Sequence, residues 1–173
     1  MKLPFIAFFL SLSFLAPSVK PALAQTAPQP GTLIVTASNP AVYWYSNARR
    51  QRYVFPNLNT FYTWFGPSDF YRVNRISDAD MAMLRIGGTL TYRPGSRLVK
   101  ITTDPKVYVV EATSTIRWIE SEPVAAAMYG PHWQQFIDDV PDAFFTGYTI
   151  GAPISHPRDY RPSATFTPDD ILR

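Results

Sequence analysis

The feature that most constrains this chain is an internal similarity at a spacing of about 64 residues. A shift of 64 places Gly31 on Gly95, Gly66-Pro67 on Gly130-Pro131, Asp78-Ala79 on Asp142-Ala143 and Ile86-Gly87 on Ile150-Gly151. A shift of 65 places Pro40, Val42, Tyr43 and Arg52 on Pro105, Val107, Tyr108 and Arg117. Similarity at a fixed period indicates a repeated structural unit, so we expect two copies that fold alike.

Each copy has the same predicted order of elements, three short strands followed by two short helices. Runs of β-branched and aromatic residues predict strands over 32–36, 41–45 and 52–55 in the first copy and over 98–102, 106–111 and 115–119 in the second. The first helix of each copy is predicted near 59–65 and over 124–129, ending at a Gly-Pro pair. A second helix is predicted to begin at Ser77 and to stop at Gly87-Gly88, and its counterpart to run from Pro141-Asp142 to near Gly147.

The predicted fold class is α+β, with two tandem pseudo-repeats that each contain a three-stranded antiparallel meander plus two short helices. The units are expected over residues 31–94 and 95–154, followed by an extended tail over 155–173. One unit of this size cannot bury both faces of its sheet, so two units are expected to close a shared apolar interior. The meanders would either join in one sheet or pack side by side, with helices covering one face.

The first 24 residues are predicted to be a secretory signal peptide. Lys2 gives a basic start, residues 3–16 are largely apolar, and Ala22-Leu23-Ala24 supplies the pattern of small residues that precedes cleavage. An uncleaved membrane anchor is the alternative, although the charge-free run is slightly short for a spanning helix. Cleavage would leave a polar spacer over 25–30 and no predicted membrane span. The expected localisation is secreted or cell surface.

Charge and residue content argue against several functional classes. Loss of the signal removes Lys2 and Lys20, so the net charge falls from +3 to +1, which is unlike a nucleic-acid-binding protein. The lack of cysteine excludes disulfides, zinc–thiolate sites and thiol catalysis. His132 and His156 are the only histidines, and neither has ligand spacing around it. We therefore expect no cofactor and no metal.

Several strings of the sequence carry a family resemblance. Residues 100–111, 117–122 and 140–145 in the second copy, and residues 52–57 and 76–80 in the first, resemble a repeat found in predicted exported and surface proteins of bacteria. The resemblance covers roughly residues 31–151. It implies two copies of the repeat and an extracytoplasmic setting, and it assigns no activity and no functional residue.

Aromatic and arginine side chains are the candidate ligand-binding residues. Trp44, Trp64 and Trp133 have no aromatic counterpart at the matching position of the other copy, which favours function over a shared structural role. Arg49 and Arg50 form a basic turn whose guanidinium groups would hold a phosphate, a uronate or an anionic envelope polymer. The structural alternatives are core packing for the tryptophans and a solvated hairpin tip for the arginines.

The leading functional hypothesis is a non-enzymatic extracytoplasmic module that binds a cell-envelope component, either a glycan or a surface protein. The alternative is a small polysaccharide hydrolase that pairs Glu120 or Glu122 with Asp142. The two glutamates also suit a helix entrance, where negative charge is favoured. Asp138-Asp139 is interpreted as a solvated loop. A third hypothesis, a structural scaffold, predicts that every large aromatic side chain is buried.

Overall fold

The first strands of the chain form an antiparallel meander close to the predicted positions. The computed structural model describes residues 28–160 and 166–172, so the predicted signal peptide lies outside the described residues. Strands β1 (Thr32–Val35), β2 (Tyr43–Tyr45) and β3 (Arg52–Val54) pair in sequence order. Two strands that the sequence did not predict, β4 (Asn74–Arg75) and β5 (Ile86–Thr89), lie parallel to β1 and β3 at the two edges. The first sheet therefore has five strands in the order β4-β1-β2-β3-β5.

The second sheet is built in the same way from the following residues. Its meander consists of β6 (Leu98–Ile101), β7 (Tyr108–Val110) and β8 (Thr115–Trp118). Two further strands, β9 (Ile137–Val140) and β10 (Thr149–Ile150), lie parallel to β6 and β8. The strand order is β10-β8-β7-β6-β9, so each sheet has an antiparallel centre and parallel edges. The fold is mixed α+β with two separate five-stranded sheets rather than one joined sheet.

Four α-helices accompany the sheets in the part of the chain that the structure describes. They are α1 (Leu58–Trp64), α2 (Asp78–Met83), α3 (Glu122–Tyr129) and α4 (Asp142–Phe145). Short 3₁₀ turns lie over Pro67–Arg72, Ala112–Ser114, Trp133–Phe136, Pro157–Asp159 and Pro168–Ile171. The predicted start of α2 is confirmed, because Ser77 Oγ accepts a hydrogen bond from the Asp80 backbone N–H at 3.0 Å. The side chain of Asn57 caps α1 through the Thr60 N–H at 2.7 Å.

The buried side chains form four clusters, one on each face of each sheet. On the first sheet, Leu33 faces α1 and the neighbouring Ile34 faces α2, as expected from alternation along a strand. On the second sheet, Leu98 belongs to the cluster against α3 and Val99 to the one against Phe145 of α4. The expectations of a shared interior and of helices on one face are therefore wrong. Helices cover both faces of each sheet, so each sheet has its own two-sided core.

Two local predictions are corrected by the strands at the sheet edges. Gly87-Gly88 does not stop α2, which ends at Met83, but lies inside β5. Glycine is needed there because a Cβ on Gly87 would lie 2.2 Å from Cζ of the buried Tyr53 ring. Asp138-Asp139 is not a solvated loop either, because both residues belong to β9 and pair with β6.

The residues after β10 fold back onto the second sheet. Ile154 and Tyr160 are buried in the cluster that faces α3, and the Tyr160 hydroxyl donates to the carbonyl of Val110 at 3.0 Å. Arg117 of β8 fixes this segment through the carbonyls of Ala152, Pro153 and Asp159 at 2.6, 3.3 and 2.9 Å. The predicted extended tail thus contributes to the core in its first part.

Residues 166–172, which we call the clasp segment, pack against the first sheet. Ile171 and Leu172 belong to the cluster of Leu33, Tyr53 and Phe61. The Ile171 carbonyl accepts a hydrogen bond from Ser114 Oγ, in the β7–β8 turn of the second sheet, at 3.3 Å. The clasp segment therefore contacts both sheets.

Candidate ligand-binding site

The three tryptophans proposed for recognition are packed into the protein. Trp44 of β2 and Trp64 of α1 are half-buried against the same cluster of the first sheet, whereas Trp133 is buried against the second. The indole N–H of Trp44 donates to Asp169 Oδ1 at 2.8 Å, and that of Trp64 donates to the Thr91 carbonyl at 2.8 Å. These polar edges are used within the chain, which favours structural roles for Trp44 and Trp64.

The two arginines of the predicted basic turn lie at the exposed tip between β2 and β3. Arg49 Nη2 donates to the Leu172 carbonyl at 3.3 Å, so this guanidinium contacts the clasp segment. Arg50 has a positive φ of 56°, which is the left-handed conformation of a tight turn. Arg49 and Trp44 both contact the clasp segment, whereas Trp133 lies on the other sheet. The five predicted site residues therefore do not converge on one surface.

A polar cleft of about 340 Å³ lies where the first helix meets the start of the second sheet. Helix α1 forms one wall, the connection between β5 and β6 forms the other, and β9 contributes a carboxylate. The lining residues are Asn59, Tyr62, Thr63, Arg93, Ser96, Arg97 and Asp138. Its volume falls at the lower end of the roughly 300–1,000 Å³ typical of small-ligand sites.

Helix α1 presents its cleft residues because of helical spacing. Asn59, Tyr62 and Thr63 are three and four residues apart, so their side chains lie on one face. Thr63 Oγ1 accepts a hydrogen bond from the Arg93 backbone N–H at 3.1 Å. Together with the bond from Trp64 to the Thr91 carbonyl, this contact fixes the helix against the opposite wall.

The charges of the cleft are only partly compensated. Arg97 Nη2 pairs with Asp138 Oδ1 at 2.5 Å, and the Asp138 side chain is 11% exposed. The Nε atom of Arg93 is buried and has no hydrogen-bond partner among the described residues. The cleft thus contains two guanidinium groups and one carboxylate, so it suits a ligand that carries negative charge.

Tyr92 adds a second buried polar atom beside the cleft. Its side chain is 1% exposed, and its hydroxyl has no partner at hydrogen-bonding geometry among the described residues. Burial, and then the charge of the nearby Asp138 carboxylate, raise the pKa of this hydroxyl, so it stays protonated. The Tyr92 backbone N–H is held by the Tyr148 hydroxyl at 3.1 Å.

The side chains available in the cleft suit binding of a polar ligand. Guanidinium groups bind carboxylates and phosphates, amide and carboxylate groups bind hydroxyls, and a tyrosine ring offers a flat face to a sugar. The Tyr62 side chain is 43% exposed, and Tyr71 on the same unit is 94% exposed. The scaffold prediction that every large aromatic is buried is therefore wrong.

The residues considered for catalysis lie outside the cleft. Glu122 is in the first turn of α3 and Asp142 in the first turn of α4, and both are exposed, as is Glu120. The His156 ring caps the 157–159 turn, with Nδ1 accepting from the Arg158 N–H at 3.2 Å. The described residues contain no group of three or more metal-ligating side chains of the His, Cys, Asp and Glu types.

Sequence reasoning missed the cleft because its walls are distant in the chain. Arg93 and Arg97 lie at the boundary expected between the two units, where no motif drew attention to them, and Asp138 was assigned to a loop. Arg97 and Asp138 are 41 residues apart in sequence and meet only because β9 pairs with β6. The 64-residue shift aligns Ile137 of β9 with Val73, just before β4. A strand recognised in one copy would therefore have indicated a strand in the other.

Comparison with protein-family models, with curated proteins and with solved structures finds no match to this chain. Within the described ranges, no helix is both long enough and apolar enough to cross a membrane. The candidate function therefore depends on the geometry of the cleft.

Proposed function

We propose that this chain is a non-enzymatic extracytoplasmic binding module that holds an anionic glycan of the cell envelope in the cleft. The observation that carries the proposal is a cleft lined by two arginines, Arg93 and Arg97, and by the exposed ring of Tyr62. A uronate or a sugar phosphate would supply acceptors for the guanidinium groups and a ring face for the tyrosine.

The roles of the lining residues follow from their partners. Arg97 is held by Asp138, so its guanidinium is oriented before a ligand arrives, which lowers the entropy lost on binding. Arg93 also lines the cleft, so its guanidinium group would pair with the ligand carboxylate or phosphate. Asn59 and Ser96 would then hydrogen-bond the sugar hydroxyls.

A duplicated origin and export are part of the same proposal. The strand orders β4-β1-β2-β3-β5 and β9-β6-β7-β8-β10 support a pseudo-repeat of two units, since both combine an antiparallel meander with one parallel strand at each edge. The envelope setting is proposed from the signal-like sequence of residues 1–24. Mass spectrometry of the chain produced in a bacterium would show a mature protein beginning at Gln25 if residues 1–24 are a cleaved signal peptide.

Calorimetric titration with an oligogalacturonate and with a neutral glucan oligosaccharide of equal length tests the ligand class. We expect the acidic oligosaccharide to bind and the neutral one to bind at least about tenfold more weakly, because it lacks the carboxylate that pairs with arginine. Arg93→Met should weaken the acidic ligand by a similar factor. Arg75→Met, which removes an exposed arginine of β4, is the matched control and should leave the affinity unchanged.

Two results would contradict the proposal. Equal binding of the acidic and neutral ligands would remove the role of the arginines, and full affinity in Arg93→Met would place the ligand elsewhere. Release of reducing ends from the oligogalacturonate, abolished by Glu120→Gln, would instead favour the polysaccharide hydrolase.

A further inference from the structure

Strand β2 and the turn that follows it hold a carboxylate of the clasp segment through three N–H groups. Asp169 Oδ1 accepts from the Trp44 indole at 2.8 Å, and Oδ2 accepts from the backbone N–H groups of Asn47 and Ala48 at 3.1 and 3.2 Å. Consecutive backbone N–H groups in a turn form a concave anion site. Hydrogen bonds to an ionised carboxylate are stronger than neutral ones, so this contact anchors the segment.

The other end of the clasp segment is held by apolar and backbone contacts. Ile171 is 1% exposed and Leu172 is 9% exposed, and both pack into the cluster of the first sheet. Arg49 Nη2 donates to the Leu172 carbonyl and Ser114 Oγ donates to the Ile171 carbonyl, each at 3.3 Å. The first sheet and its turn thus contact a carboxylate and two aliphatic side chains of the segment, and its backbone is held by hydrogen bonds.

The clasp segment is also organised internally before it contacts the sheet. Asp170 Oδ2 accepts from the backbone N–H of Thr167 at 2.6 Å and from its hydroxyl at 2.7 Å. These two hydrogen bonds lower the pKa of Asp170 and stabilise the 3₁₀ turn that directs Asp169 and Ile171 toward the protein. A segment of seven residues with its own turn has the size and order of a peptide ligand.

We propose that the surface formed by the β2–β3 turn and the adjoining cluster of the first sheet is a peptide-binding site for an Asp-x-Ile-Leu segment. Its occupant in the described structure is the chain's own clasp segment, and the clasp segment of a second copy is the partner that fits it, because it carries the same groups in the same order. The two copies would exchange these segments. The site lies apart from the cleft, so this proposal does not depend on the proposed glycan ligand.

Competition from the attached segment decides when a second copy binds. A segment joined to its own site acts at a high effective concentration, so a separate copy binds weakly while the attached one is in place. Weakening the attached segment alone should therefore open the site to an added peptide of the natural sequence. Asp169 is the residue to change, because its carboxylate makes three of the contacts.

The test uses a fluorescent peptide of residues 166–172 and the full chain, read by fluorescence anisotropy. The Asp169→Asn chain should bind the peptide about tenfold more tightly than the unaltered chain, because its own segment has lost charged hydrogen bonds. The Glu120→Gln chain, which loses an exposed charge elsewhere, should behave as the unaltered chain. A peptide carrying Asp169→Asn should bind the Asp169→Asn chain about tenfold more weakly than the natural peptide.

A second measurement does not require the altered chain to fold. The natural peptide with a photoreactive leucine at position 172 is added in excess to the unaltered chain, irradiated and mapped by mass spectrometry. Labelling of the first-sheet cluster around Leu33, Tyr53 and Phe61, or of the adjoining Arg49, supports the proposal. Labelling elsewhere, or equal peptide affinity of a folded Asp169→Asn chain and the unaltered chain, would overturn it.

Discussion

Replacing Arg117 with alanine should be among the most damaging single changes in the second sheet. The side chain is 18% exposed, and its guanidinium pairs with Glu111 Oε1 at 3.0 Å besides the three carbonyls described above. Each hydrogen bond to a charged group contributes about 1.5–3 kcal/mol net. The carbonyls of exposed residues can bond to water instead, so we expect a total loss of about 3 kcal/mol.

Arg52 provides a comparison, since it is an arginine of β3, the strand of the first sheet that corresponds to β8. Its guanidinium carbon lies 5.1 Å from the Tyr43 ring centroid, and its buried Nε has no partner among the described residues. A cation–π contact of this kind contributes roughly 0.5–2 kcal/mol. Arg52→Ala should therefore cost about 1 kcal/mol, clearly less than Arg117→Ala.

Urea denaturation followed by tryptophan fluorescence and circular dichroism measures both free energies of unfolding. A loss of about 3 kcal/mol in a chain of this size should also lower Tm by roughly 10 °C. Arg117→Lys, which keeps the charge opposite Glu111 but not the planar fork, should fall between the alanine variant and the unaltered chain. A cost for Arg117→Ala that is below about 1 kcal/mol, or no greater than that of Arg52→Ala, would refute the reasoning.

Three further predictions concern packing, hydrogen bonding and pH. Gly87→Ala should lower the free energy of unfolding by about 2 kcal/mol, because the new methyl group overlaps the Tyr53 ring, whereas Gly66→Ala, with no contact closer than 3.8 Å, should change it little. Tyr148→Phe should cost about 1–3 kcal/mol, because it leaves the Tyr92 N–H without its partner. Tyr92→Phe should cost less, because that hydroxyl has no partner at hydrogen-bonding geometry among the described residues, and thermal denaturation of both variants checks the contrast. Hydrogen bonds lower the pKa of three aspartates, which are Asp69, Asp78 and Asp170. Their stabilisation is complete above the ordinary aspartate pKa of about 3.9 and is lost as the pH falls through the lowered values, so Tm should fall below about pH 4, and the corresponding asparagine variants should show a weaker dependence.

Local sequence signals predicted much of the secondary structure. The runs of β-branched and aromatic residues gave the six meander strands, and Ser77 marked the start of α2 correctly. The parallel edge strands were missed because β4 has two residues, and β5 is the glycine-rich Ile86–Thr89, which lacks strand propensity. These strands exist because a neighbouring strand pairs with them, which is a tertiary effect.

The candidate site was much harder to predict than the strands. The lack of an aromatic residue at the matching position of the other copy predicted a functional role for Trp64. In the structure its indole N–H instead fixes α1 to the Thr91 carbonyl. The residues that line the cleft are ordinary polar residues with no motif. Only the pairing of β9 with β6 and the docking of α1 bring Arg97, Asp138 and Tyr62 to one place.

The position of the clasp segment also has a consequence for how the chain acquires its structure. All five strands of the first sheet precede residue 90, but the cluster under that sheet is completed only by Ile171 and Leu172. Trp44 and Asp169, which meet there, are 125 residues apart in sequence. Contacts at such separation form slowly, because a long loop must close first. During synthesis the cluster of the first sheet thus stays incomplete until residues 171 and 172 have been added, although the strands of that sheet are synthesised before those of the second.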